Sequence, residues 1–195
     1  ARPAVILLTS NRGLAGAFNA NLIKEARALI EKLEGAGTKV ELHVVGKKGV
    51  GYFKYVGRAV AVSRTDITDK PTAGDAASLV ESLMARFISA DLDAVYVVGS
   101  RFNSVLSTPP TADRVLPVQP PDAKSGAKGG QKDYLLYPSA EAILTELLPS
   151  YVRNAVYRSL AEAEAGFQSA QRTAMKNATD NATDLLQVYK RTYNT

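Results

Sequence analysis

Glycines that could cradle a phosphate occur where the first apolar segment passes into a helical pattern. The stretch "SNRGLAGAFN" (10–19) places Gly13 and Gly16 at the position where dinucleotide-binding folds hold a pyrophosphate. The three-glycine spacing of those folds is missing, however, and no acidic residue ends the second strand pattern to hold a ribose. The favoured interpretation is a tight turn that lets a helix pack closely on a strand, with pyrophosphate binding as the alternative.

A second candidate phosphate site is "GKKGVGYF" (46–53), which sets two lysines among three glycines. It lacks the order of glycines, lysine and hydroxyl residue that a phosphate-binding loop requires. We therefore predict an exposed turn with Tyr52 and Phe53 packed beneath it.

Titratable side chains show no arrangement typical of catalysis. His43 is the only histidine and the chain contains no cysteine, so neither a thiolate nor a histidine cluster is available for nucleophilic or metal chemistry. The carboxylates Glu162 and Glu164, and also Asp180 and Asp184, are close enough in sequence to suggest acid–base pairs. On an exposed helix they are better explained as solubilising charges. We predict no catalytic residue, no metal site and no cofactor, and the lack of cysteine excludes regulation by thiol oxidation.

The composition excludes several classes of protein. The 195 residues are 46% apolar and carry a net charge of +5, which suits one sizeable domain with an appendage and a slightly basic, solvated surface. No uninterrupted apolar run approaches about 18 residues, the length that spans a bilayer. We predict neither nucleic-acid binding nor direct insertion into a membrane.

The elements that must position these residues are strands and helices that alternate over the first two thirds of the chain. Continuous apolar runs such as "AVILLT" (4–9) are typical of buried parallel strands, and amphipathic helices are predicted near residues 17–34 and 73–90. Further strands are predicted at 39–45, at 58–63, at 93–100 and near "DRVLPV" (113–118). This alternation predicts a Rossmann-like α/β domain over residues 1–137, with a mostly parallel sheet and helices on both faces. Residues 119–132, rich in proline, glycine and lysine, are predicted to form a loop.

The last third, residues 138–195, is predicted to be a helical stalk. Ser139 is suited to cap its first turn, and Pro149 predicts either a kink or a new helix start. No proline follows, so roughly 47 residues of helix would extend about 70 Å. Because that length exceeds the width of an α/β domain of this size, the helix must project.

Small and apolar residues recur along this helix at alternating spacings of four and three, with one interruption. Such spacing forms the seam of a coiled coil, and an alanine-rich seam lets a second helix approach closely. Since the chain offers no free second helix of comparable length, we predict that the partner helix lies outside this sequence. The predicted seam residues are Val156, Leu160, Ala163, Phe167, Ala170, Ala174, Ala178, Ala182, Leu185 and Tyr189.

Five segments resemble, in order, the landmarks of one known family. The segments "TSNRGLAGAFNANL", "VVGKKGVGYFKYVG", "GSRFNSVLS", "DYLLYPSAEAILTELLPSYV" and "TAMKNATDNATDLL" are similar to the gamma subunit of F-type ATP synthases. The resemblance implies a non-catalytic central rotor stalk, whose N- and C-terminal helices pair as an antiparallel coiled coil inside a ring of catalytic and non-catalytic subunits. It also implies that the missing partner is the N-terminal helix, which, like the extreme C-terminal end, lies outside this sequence. Proton or sodium flow would turn the stalk, and the stalk would drive the catalytic sites through different conformations in turn.

The resemblance also implies the partners and the location. The alpha and beta subunits would surround the stalk, the epsilon (or delta) subunit would lie beside the α/β domain, and the ring of c subunits would lie beneath it. The protein would be peripheral on the inner face of an energy-transducing membrane, on the bacterial cytoplasmic side or the mitochondrial matrix side. ATP synthesis and ion transport would be functions of the whole complex, with no active site on this chain.

Residue roles follow from the same resemblance. Contacts of the stalk with the catalytic ring are expected at Gln171, Arg172, Lys176, Lys190 and Arg191, and contacts of the foot with the c ring at Tyr134 and Tyr137. The chain departs from the family pattern at Asn11 (usually Asp), Ala15 (often Cys), residues 166–168 (usually Ser-Glu-His), Gln171 and Arg172 (usually Arg and Met) and Tyr137 (usually Glu). Arg172 or Lys176 is the expected substitute for the arginine that Gln171 replaces.

Two other functions remain open on the sequence alone. One is a nucleotide-binding α/β enzyme that uses the turn from Gly13 to Gly16 and dimerises through its C-terminal helix. The other is a homodimeric adaptor joined by the same helix.

Overall fold

The computed structural model describes residues 2–67, 69–118 and 140–194, with side chains described from residue 147 onward in the last of these segments. Its elements are five strands and four helices within the described residues. In chain order they are β1 (Pro3–Leu8), α1 (Phe18–Gly35), β2 (Glu41–Val45), α2 (Lys47–Tyr55), β3 (Val62–Arg64), α3 (Ala73–Ile88), β4 (Ala94–Ser100), β5 (Pro110–Leu116) and α4 (Ala140–Tyr193).

The strands form one sheet in the order β3-β2-β1-β4-β5. The first four pair in parallel, and β5 pairs antiparallel to β4 because a short loop rather than a crossover helix joins the two. Strand β1 lies at the centre, and all six of its residues are buried, as its continuous apolar run predicts. The predicted Rossmann-like, mostly parallel sheet is confirmed.

Helices cover both faces of this sheet, also as predicted. Alternate residues of β1 point to opposite faces, so Ala4 and Ile6 join one apolar core with α3 and the first part of α4. Val5 and Leu7 join a second core with α1 and α2. Burial of these large side chains, at about 1.5–3 kcal/mol each, is the main favourable term that holds the layers together.

Helix α3 shows how local sequence fixes a helix start. The amide of Asp75 donates to the Thr72 hydroxyl at 3.1 Å, and the amide of Thr72 donates to the Asp75 carboxylate at 2.9 Å. This reciprocal capping satisfies two amides that the first turn would otherwise leave unpaired. The predicted helix near residues 73–90 is confirmed.

Two predictions in the first half of the chain are wrong. Residues 46–53 do not form an exposed turn, because α2 begins at Lys47, directly after Gly46. Gly46 has a φ of +95°, and a Cβ there would lie 2.2 Å from the Thr9 carbonyl oxygen. The third strand is also shorter than expected, because the Arg58 amide bonds to the Phe53 carbonyl and closes α2 before β3 begins.

Helix α4 runs without interruption for 54 residues, about 80 Å at the rise of an α-helix. It includes Pro149, so the proline does not end the helix; a single missing amide donor is tolerated in a ladder that continues on both sides. The predicted cap at Ser139 and the predicted loop at 119–132 lie outside the described residues.

Candidate functional site

The turns that follow β1, β2 and β3 interlock at the carboxyl edge of the sheet, where open α/β folds usually bind ligands. The Thr9 hydroxyl donates to the Val45 carbonyl at 2.6 Å and accepts from the Gly49 amide at 3.0 Å. A Cβ on Gly49 would lie 2.7 Å from a Val44 methyl. Packing within the chain therefore requires glycine at positions 46 and 49, and no bound ligand is needed to explain these glycines.

Asn11 joins all three turns. Its side-chain oxygen accepts from the Lys47 amide at 2.9 Å, and its side-chain nitrogen donates to the carbonyls of Thr65 and Ile67 at 3.1 and 3.2 Å. Because one partner is a donor and two are acceptors, both ends of the amide are used.

The amide groups at the start of α2 are consequently engaged within the chain. The first three of them donate to the Asn11 side chain, the Ser10 carbonyl and the Thr9 hydroxyl. Since a phosphate at a helix N-terminus requires free amide donors, the geometry does not support a phosphate site in the glycine- and lysine-rich segment.

The first glycine-rich turn is also built for packing. Leu14 and Gly16 have φ values of 62° and 59°, which makes this segment the tight turn that we predicted. The Gly13 carbonyl accepts a hydrogen bond from the Gln171 side chain of α4 at 3.4 Å. A pyrophosphate there would have to compete with α4.

Helix α4 fills the crevice between β1 and β4, the switch point at which the strand order reverses. A Cβ on Gly166 would lie 2.6 Å from the Ser100 hydroxyl and 3.1 Å from the Phe18 ring. Phe167 packs its ring on that of Phe18 with centroids 5.9 Å apart and planes at 61°. We call Phe18, Ser100 and the Gly13 carbonyl the socket; Gly166, Phe167 and Gln171 of α4 occupy it.

Beside the socket lies a cavity of about 190 Å³, below the usual 300–1,000 Å³ of ligand pockets. Its polar rim includes Arg12 and Asp69, which form an ion pair at 3.2 Å, and Glu164. Burial raises the pKa of the Glu164 carboxyl; a hydrogen bond from Gln168 opposes the rise and the charge of Asp69 adds to it. This cavity is therefore smaller than a typical ligand pocket.

His43 is a buried side chain of β2, not a ligand. Its Nε2 lies 3.7 Å from a Glu41 carboxylate oxygen, too far for a hydrogen bond, and has no hydrogen-bond partner among the described residues. The same oxygen accepts from Arg86 at 2.8 Å. Burial lowers the pKa of His43 and outweighs the opposing influence of Glu41, so the imidazole is neutral at pH 7.

The suggested acid–base pairs are not assembled into a reactive site. Asp180 and Asp184 are exposed on α4, while Glu162 and Glu164 are partly buried. Within the described residues, no three histidine, cysteine, aspartate or glutamate side chains are placed to hold a metal ion. In the same residues, no helix is both long and apolar enough to cross a membrane.

The predicted seam divides into two parts. Val156, Leu160 and Phe167 are 0%, 5% and 3% exposed, so the prediction that an outside helix covers them is wrong. The chain's own α/β domain already covers them, through the sheet, α3 and Phe18 of α1. Ala163, Ala170 and Ala174 are partly buried, whereas Ala178, Ala182, Leu185 and Tyr189 are all exposed.

The predicted contact residues that the structure describes fall in two environments. Gln171 is turned towards the Gly13 carbonyl, whereas Arg172, Lys176, Lys190 and Arg191 are exposed along the outer part of α4. The two predicted foot residues, Tyr134 and Tyr137, lie outside the described residues.

Three functional positions escaped the sequence reasoning. Asn11 is noted there only as a departure from a family pattern, and the helical spacing that includes Phe18 does not predict the close approach of Gly166 and Phe167 to its ring. The one available signal was Gly166 itself, a glycine inside a strong helical pattern, which commonly marks a close approach.

Comparison with known proteins agrees with this geometry. A family model described as ATP synthase matches residues 1–195. The ATP synthase gamma chain of Gemmatimonas aurantiaca is 67% identical over 192 residues, which cover 98% of this chain and 66% of that protein. The ATP synthase gamma chain of Frankia casuarinae is 39% identical over 199 residues, covering 100% of this chain and 67% of that one. The chain thus spans about two thirds of the length of these relatives.

Solved structures give the same fold. The chain matches the rotor of Euglena gracilis mitochondrial ATP synthase with a TM-score of 0.68 and 21% identity, covering 98% of this chain and 71% of the other. It matches the central stalk and c ring structure of Tetrahymena thermophila mitochondrial ATP synthase with a TM-score of 0.67 and 21% identity, covering 92% and 76%. The engaged turns, the filled switch point, the projecting helix and these likenesses lead to one conclusion: the chain belongs to the ATP synthase gamma chain family.

Proposed function

We propose that this protein is the central rotor stalk of an F-type ATP synthase and that it performs no catalysis itself. The observation that carries the proposal is the form of α4, which leaves the domain at Ala174 and continues with every described side chain exposed from residue 175 to residue 194. A helix that long has no partner within the described chain beyond that point. The exposed apolar residues of this segment are therefore available to a partner helix.

The occupied switch point argues against the alternative enzyme. Gly166 and Phe167 take the space that a nucleotide would need, and the amides at the start of α2 are already bonded. The matching relatives are gamma chains, which favours the rotor over the dimeric adaptor as well.

The exposed part of the seam is proposed to pair with an N-terminal helix of the complete protein. Ala178 and Ala182 leave room for close approach, and Leu185 and Tyr189, at 55% and 67% exposed, offer area to bury. Arg172, Lys176, Lys190 and Arg191 are then proposed to contact acidic segments of the surrounding catalytic ring, an attraction that salt would screen.

The remaining partners are proposed from the family. The stalk would contact the alpha and beta subunits along α4, the epsilon (or delta) subunit beside the sheet, and the c ring at its foot. It would stand on the inner face of an energy-transducing membrane and couple proton or sodium flow to ATP synthesis. Rotation would transmit torque because the stalk is asymmetric about the ring axis.

The direct test is rotation in a reconstituted complex. The complete natural protein is assembled with alpha and beta subunits after exposed Lys54 of α2 has been replaced by cysteine and any cysteine outside the present sequence has been removed. A probe on Lys54→Cys is followed while ATP is hydrolysed. Unidirectional stepping of the probe is the expected result. A complex that hydrolyses ATP at full rate with the probe stationary would sink the proposal.

Two solution measurements separate the alternatives. Calorimetry with NAD, ATP and GTP should show no binding, whereas micromolar affinity lost on Gly13→Ala would favour the enzyme. Light scattering should show one copy of the protein per complex, whereas a stable homodimer would favour the adaptor.

A further inference from the structure

The contacts that restrain α4 end abruptly at one place. Gly166 and Phe167 are buried, Gln171 and Ala174 are partly buried, and the described side chains beyond Ala174 are all exposed. The segment 175–194 therefore projects as a cantilever of about 30 Å.

The socket holds α4 from three separate segments of the domain. Ser100 ends β4, Phe18 begins α1, and Gly13 lies in the turn between β1 and α1. Phe167 belongs to the core that contains α1, whereas Leu160, two turns earlier, belongs to the core that contains α3. Helix α4 thus touches both cores, and contacts from several directions resist tilting more effectively than contacts along one line.

A small angular change at this point is amplified along the cantilever. Tilting a helix by about 10° about the socket would move a point some 30 Å away by about 5 Å, from the rise per residue alone. The direction of the projecting segment therefore depends on how tightly the socket is filled.

We propose that the socket is the mechanical joint of this protein, and that Phe167 and Gln171 are positioning residues that set the direction of the projecting helix without help from any partner helix. The crevice in which nucleotide-binding folds bind a ligand is occupied here by α4. The meaning of such a joint rests on the proposed rotor function, but its rigidity is a property of this chain alone.

The chemistry of the joint predicts how it responds to conditions. Its contacts are an edge-to-face aromatic pair, a close approach at glycine and one hydrogen bond between neutral groups. None of these is an ion pair, and the ion pair that joins α4 to α3, Arg153–Glu81 at 2.8 Å, lies 13 residues before Gly166. Salt should therefore leave the direction of the helix beyond the socket unchanged.

The test measures the angle directly. The chain has no cysteine, so Lys32→Cys on α1 and Asp180→Cys on α4 give one pair of spin labels, whose distance distribution is recorded by pulsed dipolar spectroscopy at low and high salt. The unsubstituted chain should give one narrow peak, the same at both salt concentrations. Phe167→Ala should widen it at least about twofold, Gln171→Ala should widen it less, and Phe167→Leu should largely restore the narrow peak because it refills the apolar volume.

Two controls separate joint motion from loss of structure. Arg158→Cys with Asp180→Cys places both labels on α4, about 33 Å apart along the helix, and should report the same distance in every variant. Leu185→Ala, beyond the joint, should leave the domain-to-helix peak unchanged.

A broad peak in the unsubstituted chain, or a peak that stays equally narrow in Phe167→Ala, overturns the joint. Widening of the Arg158–Asp180 distance in Phe167→Ala also overturns it, because the helix itself would then be the flexible part. None of these results contradicts the rotor proposal. A stationary probe in the rotation assay would refute the rotor proposal and would not bear on the joint.

Discussion

Replacing Asn11 by aspartate tests whether the three turns at the carboxyl edge are held together by one side chain. The substitution keeps the size and the acceptor that binds the Lys47 amide. It removes the only side-chain donor that Asn11 offers to the carbonyls of Thr65 and Ile67, and it points a carboxylate oxygen at both from about 3 Å.

The magnitude follows from the number of acceptors left unpaired. A partly buried acceptor that loses its donor costs about 1–3 kcal/mol, and here two are affected, one of them in an exposed setting. The new negative charge near the start of α2 interacts favourably with the helix dipole and stabilises the folded state by about 0.3–1 kcal/mol. We expect the free energy of unfolding to fall by about 1–2 kcal/mol at pH 7. The loss should shrink as acid protonates the carboxyl, because the protonated form can donate again.

Asn19→Asp, in the first turn of α1, is the matched control. The Asn19 side-chain nitrogen donates to the Ser10 hydroxyl at 2.8 Å, and that hydroxyl donates to the Arg12 carbonyl at 2.6 Å. In Asn19→Asp the hydroxyl can turn its proton towards the new carboxylate, whereas a backbone carbonyl has no proton to donate. Urea unfolding followed by tyrosine fluorescence should therefore show a clearly smaller loss for Asn19→Asp. Equal stability of the two variants, or a larger loss at Asn19, would refute the account of Asn11 as the link between the turns.

Three further predictions concern buried and surface groups. The single His43 resonance should titrate by NMR with a pKa below 6.5, because burial disfavours the imidazolium. Since the pKa is depressed in the folded state, the free energy of unfolding should fall as the pH drops below about 6.5. A urea midpoint that does not change with pH in that window, in the unsubstituted chain as in His43→Gln, would contradict this prediction. Gly166→Ala should destabilise the fold by about 1–3 kcal/mol because its Cβ would clash with Ser100. Gly51→Ala, whose Cβ meets nothing within 4 Å, should instead stabilise α2 by about 0.5–1 kcal/mol. A higher thermal unfolding temperature for Gly166→Ala than for Gly51→Ala would disprove the close approach of Gly166 to Ser100. The pKa of Asp66 should be about 2 because the Arg64 guanidinium hydrogen-bonds to it, and Arg64→Gln should raise it towards 3.8; a carboxyl resonance that titrates identically in both proteins would show that the pair does not form in solution.

Much of the fold could be predicted because it depends on local periodicity. The six consecutive apolar residues of β1 predict a strand buried on both faces, and the spacing of Phe18, Leu22 and Ala26 predicts the face of α1 that the sheet covers. The exception is α2, where three glycines in eight residues argue for a turn; the helix forms because Gly46 and Gly49 pack against Thr9, far away in the sequence.

The sequence by itself determined that this chain is an α/β domain followed by a helix too long to fold back on it, because strand and helix periods are properties of neighbouring residues. Only the tertiary structure decided how much of that helix is free. Gly13 and Gln171 are separated by 158 positions, and no local pattern indicates that they meet. Val156 and Ala178 belong to one apolar stripe in the sequence, yet the sheet buries the first and leaves the second exposed, because burial depends on where the domain ends in space.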